Sequence, residues 1–96
     1  MDAAARTALA TIRRCAASGR FLLLPHFTRR MDERGIVWPD ILAVLDQPAM
    51  VRADGSDEWG RPRWIVSGHA ADAVRLGFVC VLGHNARGEV TLFWED

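Results

Sequence analysis

The chain has 96 residues, of which half are hydrophobic and a quarter are charged, the balance of an ordinary globular protein. The chain has twelve arginines, no lysine and twelve acidic residues, so its net charge is zero. Broad, non-specific binding to nucleic acid is therefore not expected. The length predicts a single domain, residues 1–96, with one hydrophobic core.

The apolar runs of the chain are short. The run from Phe21 to Pro25, for example, has the length of a strand and is far shorter than a membrane span. The N-terminal segment does not resemble a secretion signal, because Arg13 and Arg14 interrupt its apolar pattern. We therefore expect a cytoplasmic protein that does not contact membranes. In that compartment the distant pair Cys15 and Cys80 is expected to be buried as small hydrophobic side chains.

Apolar residues at helical spacing predict three helices in the first half of the chain. The predicted segments are Met1–Ser18, His26–Gly35 and Ile36–Pro48. Gly19 and Gly35 follow the first two segments in the position of a glycine that ends a helix. In the second, Phe27 and Met31 lie one turn apart on the same face. Pro39 suits the first turn of the third.

The second half of the chain changes to the pattern of strands, rich in β-branched and aromatic residues. The predicted strands are Ala49–Arg52, Arg63–Ser67, Leu76–Leu82 and Val90–Trp94. The predicted links are a hairpin loop at Asp54–Gly60, a longer connection at His69–Val74 and a second hairpin loop at Gly83–Gly88. Phe21–Leu24 is expected to be an extended arm or a strand. The prediction is an α+β fold, with two to three N-terminal helices packed on a C-terminal antiparallel sheet of about four strands.

The second predicted helix carries a candidate phosphate site. His26, Arg30 and Arg34 are four residues apart, so they form one stripe beside the apolar pair of that helix. An imidazole transfers protons near neutral pH, and guanidinium groups bind phosphate and stabilise its developing charge. The alternative is a solvated helix face, which charged residues commonly form. The spacing by itself favours that alternative.

Four residues of the second half are candidate contacts for RNA. Arg61 and Arg63 flank the start of a predicted strand, where they bind phosphate or, equally, discourage pairing with other sheets. Thr91 either donates a hydrogen bond to phosphate or is simply a good strand former. Trp59 lies in a polar loop, where we expect it to be exposed and to stack on a base or contact a partner.

Several short segments also follow one another in a characteristic order. These are Ile12–Arg20, His26–Met31, Glu33–Ile36, Pro39–Ile41, Arg63-Trp64, Gly68 and Val90–Phe93. In this order they resemble a small bacterial family, the domain of unknown function 4258, over nearly the whole chain from Ile12 onward. The pattern His-x-x-x-Arg-Met-x-x-Arg-Gly-Ile, which begins at His26, is its fairly specific part. The strand matches are individually weak.

That family is similar to the RelE, BrnT and MqsR toxins, which are metal-independent ribonucleases on a small α+β fold. The resemblance implies a RelE-like fold in which His26 is the general acid or base and Arg30 and Arg34 hold phosphate. Arg63 and Thr91 would be second-rank contacts. The implied reaction is attack of an RNA 2′-hydroxyl on the adjacent phosphate, which leaves a cyclic phosphate and needs no cofactor and no metal. The implied partners are RNA, free or ribosome-associated, and a cognate antitoxin protein, without DNA binding by the domain itself.

Two features favour a different function. Phe93 stands where the family pattern ends in Tyr, so a hydroxyl is missing there, and ribosome-associated toxins are usually basic whereas this chain is neutral. The alternative is a catalytically inactive RelE-like domain that acts as a protein-interaction module. A structural or metal-binding role ranks third, because His69 and His84 share no ligand-like spacing with His26.

Overall fold

The computed structural model describes residues 1–70, 74–83 and 90–94, which contain three helices and five strands. The helices are α1 (Ala3–Ala17), α2 (Pro25–Arg34) and α3 (Trp38–Asp46). The strands are β1 (Phe21–Leu23), β2 (Met50–Ser56), β3 (Pro62–His69), β4 (Arg75–Leu82) and β5 (Val90–Trp94). The predicted α+β class, with its helices before most of its sheet, is confirmed.

The sheet differs from the predicted four antiparallel strands. Its five strands lie in the order β1-β5-β4-β3-β2, and all neighbours are antiparallel except β1 and β5. Phe21 pairs with Val90 and Leu23 with Leu92 in that parallel ladder, so the sheet is mixed. The short apolar run before α2 is therefore a strand and not an arm. Its partner lies about seventy residues away, which local patterns do not reveal.

Each helix begins and ends at residues whose chemistry suits that position. Asp2 caps α1, because its Oδ1 accepts from the backbone N–H of Ala5 at 2.7 Å. Pro25 begins α2, where its missing N–H costs nothing, and Gly35 ends it with a φ of 66°. At the start of α3 the side chain of Asp40 accepts from the backbone N–H of Val37 at 2.9 Å.

The core lies between the helices and one face of the sheet. Its central residues are fully buried and come from every layer: Ile12, Phe27, Ile41, Val66, Phe78 and Leu92. Cys15 and Cys80 are buried thiols in this same cluster, as predicted, and burial raises the pKa of Cys80 well above its ordinary value.

The other face of the sheet, which we call the open face, has a smaller apolar cluster. Ile65, Val79 and Val81 form it with the half-buried Met50, and in the described residues no helix side chain joins it. Ile65 and Val66 lie on opposite faces, as the alternation along β3 predicts. The open face is therefore the side of the sheet on which strand side chains can contact a ligand.

The connections also differ in part from prediction. β2 extends to Ser56, beyond the predicted end at Arg52, because a bulge between Ala53 and Ser56 continues the pairing with β3. The first hairpin loop is correspondingly shorter than predicted. The predicted link after β3 and the second hairpin loop lie largely outside the described residues, at 71–73 and 84–89. Within the described ranges, none of the helices has the length and apolar character that crossing a membrane requires.

Gly35 provides a test of how α2 ends. A Cβ atom at this position would meet no atom within 4 Å, so a substitution changes only the cost of the left-handed backbone. We expect Gly35→Ala to lower the free energy of unfolding by about 1 kcal/mol. Gly35→Asn should cost less, because Asn tolerates this conformation. Urea denaturation measures both, and equal stability of the alanine variant and the wild type would contradict the assignment.

Candidate functional site

The predicted stripe on α2 lies on a well-formed helix. Phe27 and Met31 are buried against the core, as predicted, and this fixes the rotation of α2 about its axis. His26 and Arg34 are exposed at the two ends of the stripe, and Arg30 between them is half-buried. The three residues therefore present one imidazole and two guanidinium groups along a single helix face.

Arg29 is a further cation beside this stripe that the sequence analysis did not select. Its Nη2 lies 3.4 Å from Nδ1 of His26. The two residues are three apart on α2, a spacing that brings helix side chains together. Helical spacing was therefore a usable signal for Arg29, although it does not belong to the four-residue repeat of the stripe.

Trp94 attaches α2 to the sheet. Its ring stacks on that of Phe27, with centroids 4.6 Å apart and planes 13° from parallel. Its indole Nε1–H donates to the backbone carbonyl of Phe27 at 3.0 Å. The guanidinium carbon of Arg34 lies 5.0 Å from the centre of the same ring, within the range of a cation–π contact. One aromatic side chain thus holds both the buried side of α2 and one end of its charged stripe.

A cavity of about 440 Å³ lies against the open face. The residues that line it are Ser56, Asp57, Glu58, Trp59, Arg61, Arg63, Val79, Val81, Phe93 and Trp94. Three of the predicted RNA contacts, Trp59, Arg61 and Arg63, are therefore neighbours in space. The apolar residues come from β4 and β5, whereas the polar and charged groups come from the end of β2, the loop after it and β3.

Both arginines of the cavity are paired with carboxylates. Arg61 Nε donates to Asp57 Oδ2 at 2.5 Å, and the guanidinium of Arg61 lies 5.0 Å from the centre of the Trp59 ring. Arg63 Nη2 lies 3.1 Å from Asp54 Oδ2. The Nε atom of Arg63 is buried and has no hydrogen-bond acceptor among the described residues. The positive charge of this region is thus balanced locally, which matches the neutral charge of the whole chain.

Asp57 organises the loop that forms one wall of the cavity. Its Oδ1 accepts from the backbone N–H of Trp59 at 3.0 Å and from that of Arg61 at 2.8 Å. Desolvation raises the pKa of this carboxyl, but the hydrogen bonds from Arg61 and Trp59 and the charge of Arg61 outweigh it. The pKa of Asp57 consequently lies below its ordinary value. Asp54 and Asp57 were not selected from the sequence, because their partners are evident only once the hairpin is folded.

Thr91 lies on the open face but outside the lining of the cavity. It pairs with Val81 of β4, which in turn pairs with Arg63 of β3, so the three residues form one row across the sheet. Two strand spacings separate Arg63 from Thr91, about 10 Å. Thr91 is also largely buried. Phe93, two residues further along β5, lines the cavity and is partly exposed.

The predicted site residues thus form two groups on different faces of the sheet. The first is the stripe of α2, and the second is the cavity on the open face. Among the described residues the lining of the cavity includes none from α2. Trp94 joins the two groups, because it lines the cavity and also contacts Phe27 and Arg34. No group of three or more potential metal ligands occurs in the described part of the chain, and His84 lies outside that part.

Comparisons with known proteins add no relative: no family model, no curated protein and no solved structure matches the chain.

The role of Trp94 can be tested by comparing two tryptophans. Trp94→Phe keeps an aromatic ring but removes the buried hydrogen bond and part of the packed volume, so we expect a loss of about 1–3 kcal/mol in the free energy of unfolding. Trp59→Phe is the matched control, since 72% of the Trp59 side chain is exposed and a change within about 0.5 kcal/mol is expected. Urea denaturation monitored by circular dichroism distinguishes them. Equal losses would contradict the anchoring role.

The contribution of Asp57 should depend on pH. Because its pKa is lower in the folded protein, its stabilising contribution is present above the ordinary carboxyl pKa of about 4 and is lost as the pH falls through the folded value. The wild type should therefore be more stable than Asp57→Asn at pH 6, and the difference should shrink below about pH 4. Urea midpoints of both proteins across this range measure it. A difference that does not change with pH would contradict the assignment.

Proposed function

We propose that this chain is a metal-independent endoribonuclease of a toxin–antitoxin pair, a RelE-like domain of the family that its sequence resembles. The observation that carries the proposal is the arrangement around Trp94. This residue contacts Arg34 at one end of a stripe with one imidazole and two guanidinium groups, and it also lines a cavity that contains Trp59, Arg61 and Arg63. Proton transfer, phosphate binding and base stacking would be supplied by two surfaces that have Trp94 in common.

The stripe of α2 is the proposed catalytic surface. The 2′-oxygen of a nucleotide attacks the adjacent phosphorus, the bond from phosphorus to the 5′-oxygen breaks, and a 2′,3′-cyclic phosphate and a 5′-hydroxyl result. His26, exposed on the first turn of α2, either accepts the proton of the 2′-hydroxyl or donates one to the leaving 5′-oxygen, and solvent water performs the other proton transfer. Arg30 and Arg34 hold the phosphate and stabilise the charge that gathers on its oxygens.

The cavity on the open face is the proposed site for the neighbouring part of the RNA. Arg61 covers one face of the Trp59 ring, and most of the side chain remains exposed, so an unpaired base can stack on it. Arg61 and Arg63 offer forked donors to phosphate oxygens. Thr91, which is largely buried on the same face of the sheet as Arg63, is a second-rank contact in this proposal. RNA, whether free or ribosome-associated, and an antitoxin in the cytoplasm are the partners that this function requires.

A catalytically inactive interaction domain is the second candidate. It is favoured by the aromatic surface of the open face, where Trp59 and Phe93 are exposed beside arginines whose charge is already balanced. Such a surface resembles the core of a protein interface, which is enriched in aromatic residues and arginine. Stable binding of an antitoxin by a protein that does not cleave RNA would favour this function over the first.

Cleavage of RNA tests the proposed function. Purified protein, separated from any antitoxin, should cut cellular RNA, and His26→Ala should slow the cleavage by about 100-fold or more, because a positioned acid or base contributes that much. The products should carry 2′,3′-cyclic phosphate ends.

His69→Ala is the matched control, since His69 is an exposed histidine at the end of β3 and is not part of the stripe. It should cut at the rate of the wild type. Equal rates for the wild type and His26→Ala, or no cleavage by folded wild-type protein, would refute the proposal.

A further inference from the structure

The ion pair between Asp54 and Arg63 uses only part of the guanidinium edge that it occupies. Asp54 Oδ2 lies 3.1 Å from Nη2 of Arg63, whereas Nε, on the same edge, is buried and has no acceptor in the described part of the chain. A bidentate partner of arginine takes both nitrogens of one edge. The observed pair is therefore monodentate, and the donor that it leaves unused belongs to a residue that lines the cavity.

The position of Asp54 in the fold explains this partial contact. β2 pairs regularly with β3 as far as Ala53, opposite Trp64, and the register then shifts before Ser56. Asp54 lies in this bulge, followed by Gly55 with a φ of 68°. Bulges redirect side chains and are frequent beside functional sites. Here the bulge places a carboxylate next to the cavity arginine instead of in the regular ladder.

The pair contributes little to stability. The side chains of Arg63 and Asp54 are 39% and 33% exposed, and exposed ion pairs contribute about 0–1 kcal/mol. The second pair of the cavity is different, because Asp57 also holds two backbone N–H groups of its loop. The main effect of the Asp54 carboxylate is therefore to occupy Nη2, one of the nitrogens through which Arg63 would bind an anion.

We propose that Asp54 is a positioning residue that competes with RNA phosphate for Arg63 and so limits how tightly the open-face cavity binds RNA. The inference rests on the proposed function, since it takes RNA as the ligand of this cavity. A phosphate that binds both Nε and Nη2 must displace Asp54 from Nη2, and the buried Nε gains an acceptor in exchange. An anion that binds Arg63 too weakly to displace the Asp54 carboxylate is therefore excluded from this position.

The experiment measures binding without cleavage. The probe is a fluorescein-labelled single-stranded 2′-O-methyl oligoribonucleotide, which lacks the attacking hydroxyl, and fluorescence anisotropy gives its dissociation constant. Asp54→Asn should bind the probe about two- to fivefold more tightly than the wild type. This range corresponds to the free energy of the exposed ion pair that RNA no longer has to break. Asp54→Glu, which keeps the competing carboxylate, should bind as the wild type does.

Three further comparisons separate competition for Arg63 from an effect of net charge and from an effect on folding. Asp46→Asn removes the same charge from the end of α3, where the residue lines a different groove between α1 and α3, and should not tighten binding to the same extent. In an Arg63→Ala background, Asp54→Asn should have no effect, because the contested donor is gone. Asp54→Ser provides a second route if the asparagine variant does not fold, as circular dichroism would show.

The outcomes separate this inference from the proposed function. Tighter binding by Asp54→Asn that depends on Arg63 supports the inference. If the wild type binds the probe and neither Asp54→Asn nor Asp54→Ser binds it more tightly, the inference is refuted while RNA binding stands. If Asp46→Asn tightens binding equally, net charge explains the effect and the inference is again refuted. If neither the wild type nor any folded variant binds the probe, both the inference and the proposed RNA-binding function are refuted.

Discussion

The stacked contact between Trp94 and Phe27 is the constraint on which the rest of the molecule depends. It joins the last residue of β5 to the first turn of α2, and the indole hydrogen bond to the Phe27 carbonyl fixes the helix along its axis as well as its rotation. Because the rotation of α2 is fixed, its charged stripe has one defined direction. The same ring contacts Arg34, and Trp94 is also among the residues that line the open-face cavity, so one residue belongs to both groups of candidate residues.

The mixed sheet makes this contact possible. β1 leads directly into α2 and pairs in parallel with β5, so the start of the helix and the end of β5 are held at the same end of the sheet. β5 has neighbours on both sides, β1 and β4, and four of its five residues are buried. The open face remains on the other side of the sheet. There, carboxylates of the β2–β3 hairpin form ion pairs with the two cavity arginines. The cavity therefore has little excess positive charge, although the chain has twelve arginines.

Much of the local structure was predictable because it depends on neighbours along the chain. The extent of α2 follows from the apolar pair Phe27 and Met31 and from Gly35, which adopts a positive φ where a helix must end. The faces of β3 follow from strict alternation, and the exposure of Trp59 follows from its polar loop. For the candidate site, the sequence predicted which residues could take part but not which partners they contact. Arg63 was selected as a strand arginine, but its partner Asp54 was not, because a bulge displaces that residue from the regular register.

The amino-acid sequence by itself therefore determined the helices, most of the strands, the stripe of one histidine and two arginines, and the separation of apolar from polar faces. These depend on periods of 3.6 and 2 residues and on glycine and proline positions, which act over a few residues. Only the tertiary structure decided that Phe21–Leu23 joins the sheet beside β5, that Trp94 among four tryptophans holds α2, and that Arg61 and Arg63 meet carboxylates around one cavity. Those outcomes depend on register and packing between segments far apart in the chain, where many pairings satisfy the same local pattern and only the collective burial of the core selects one.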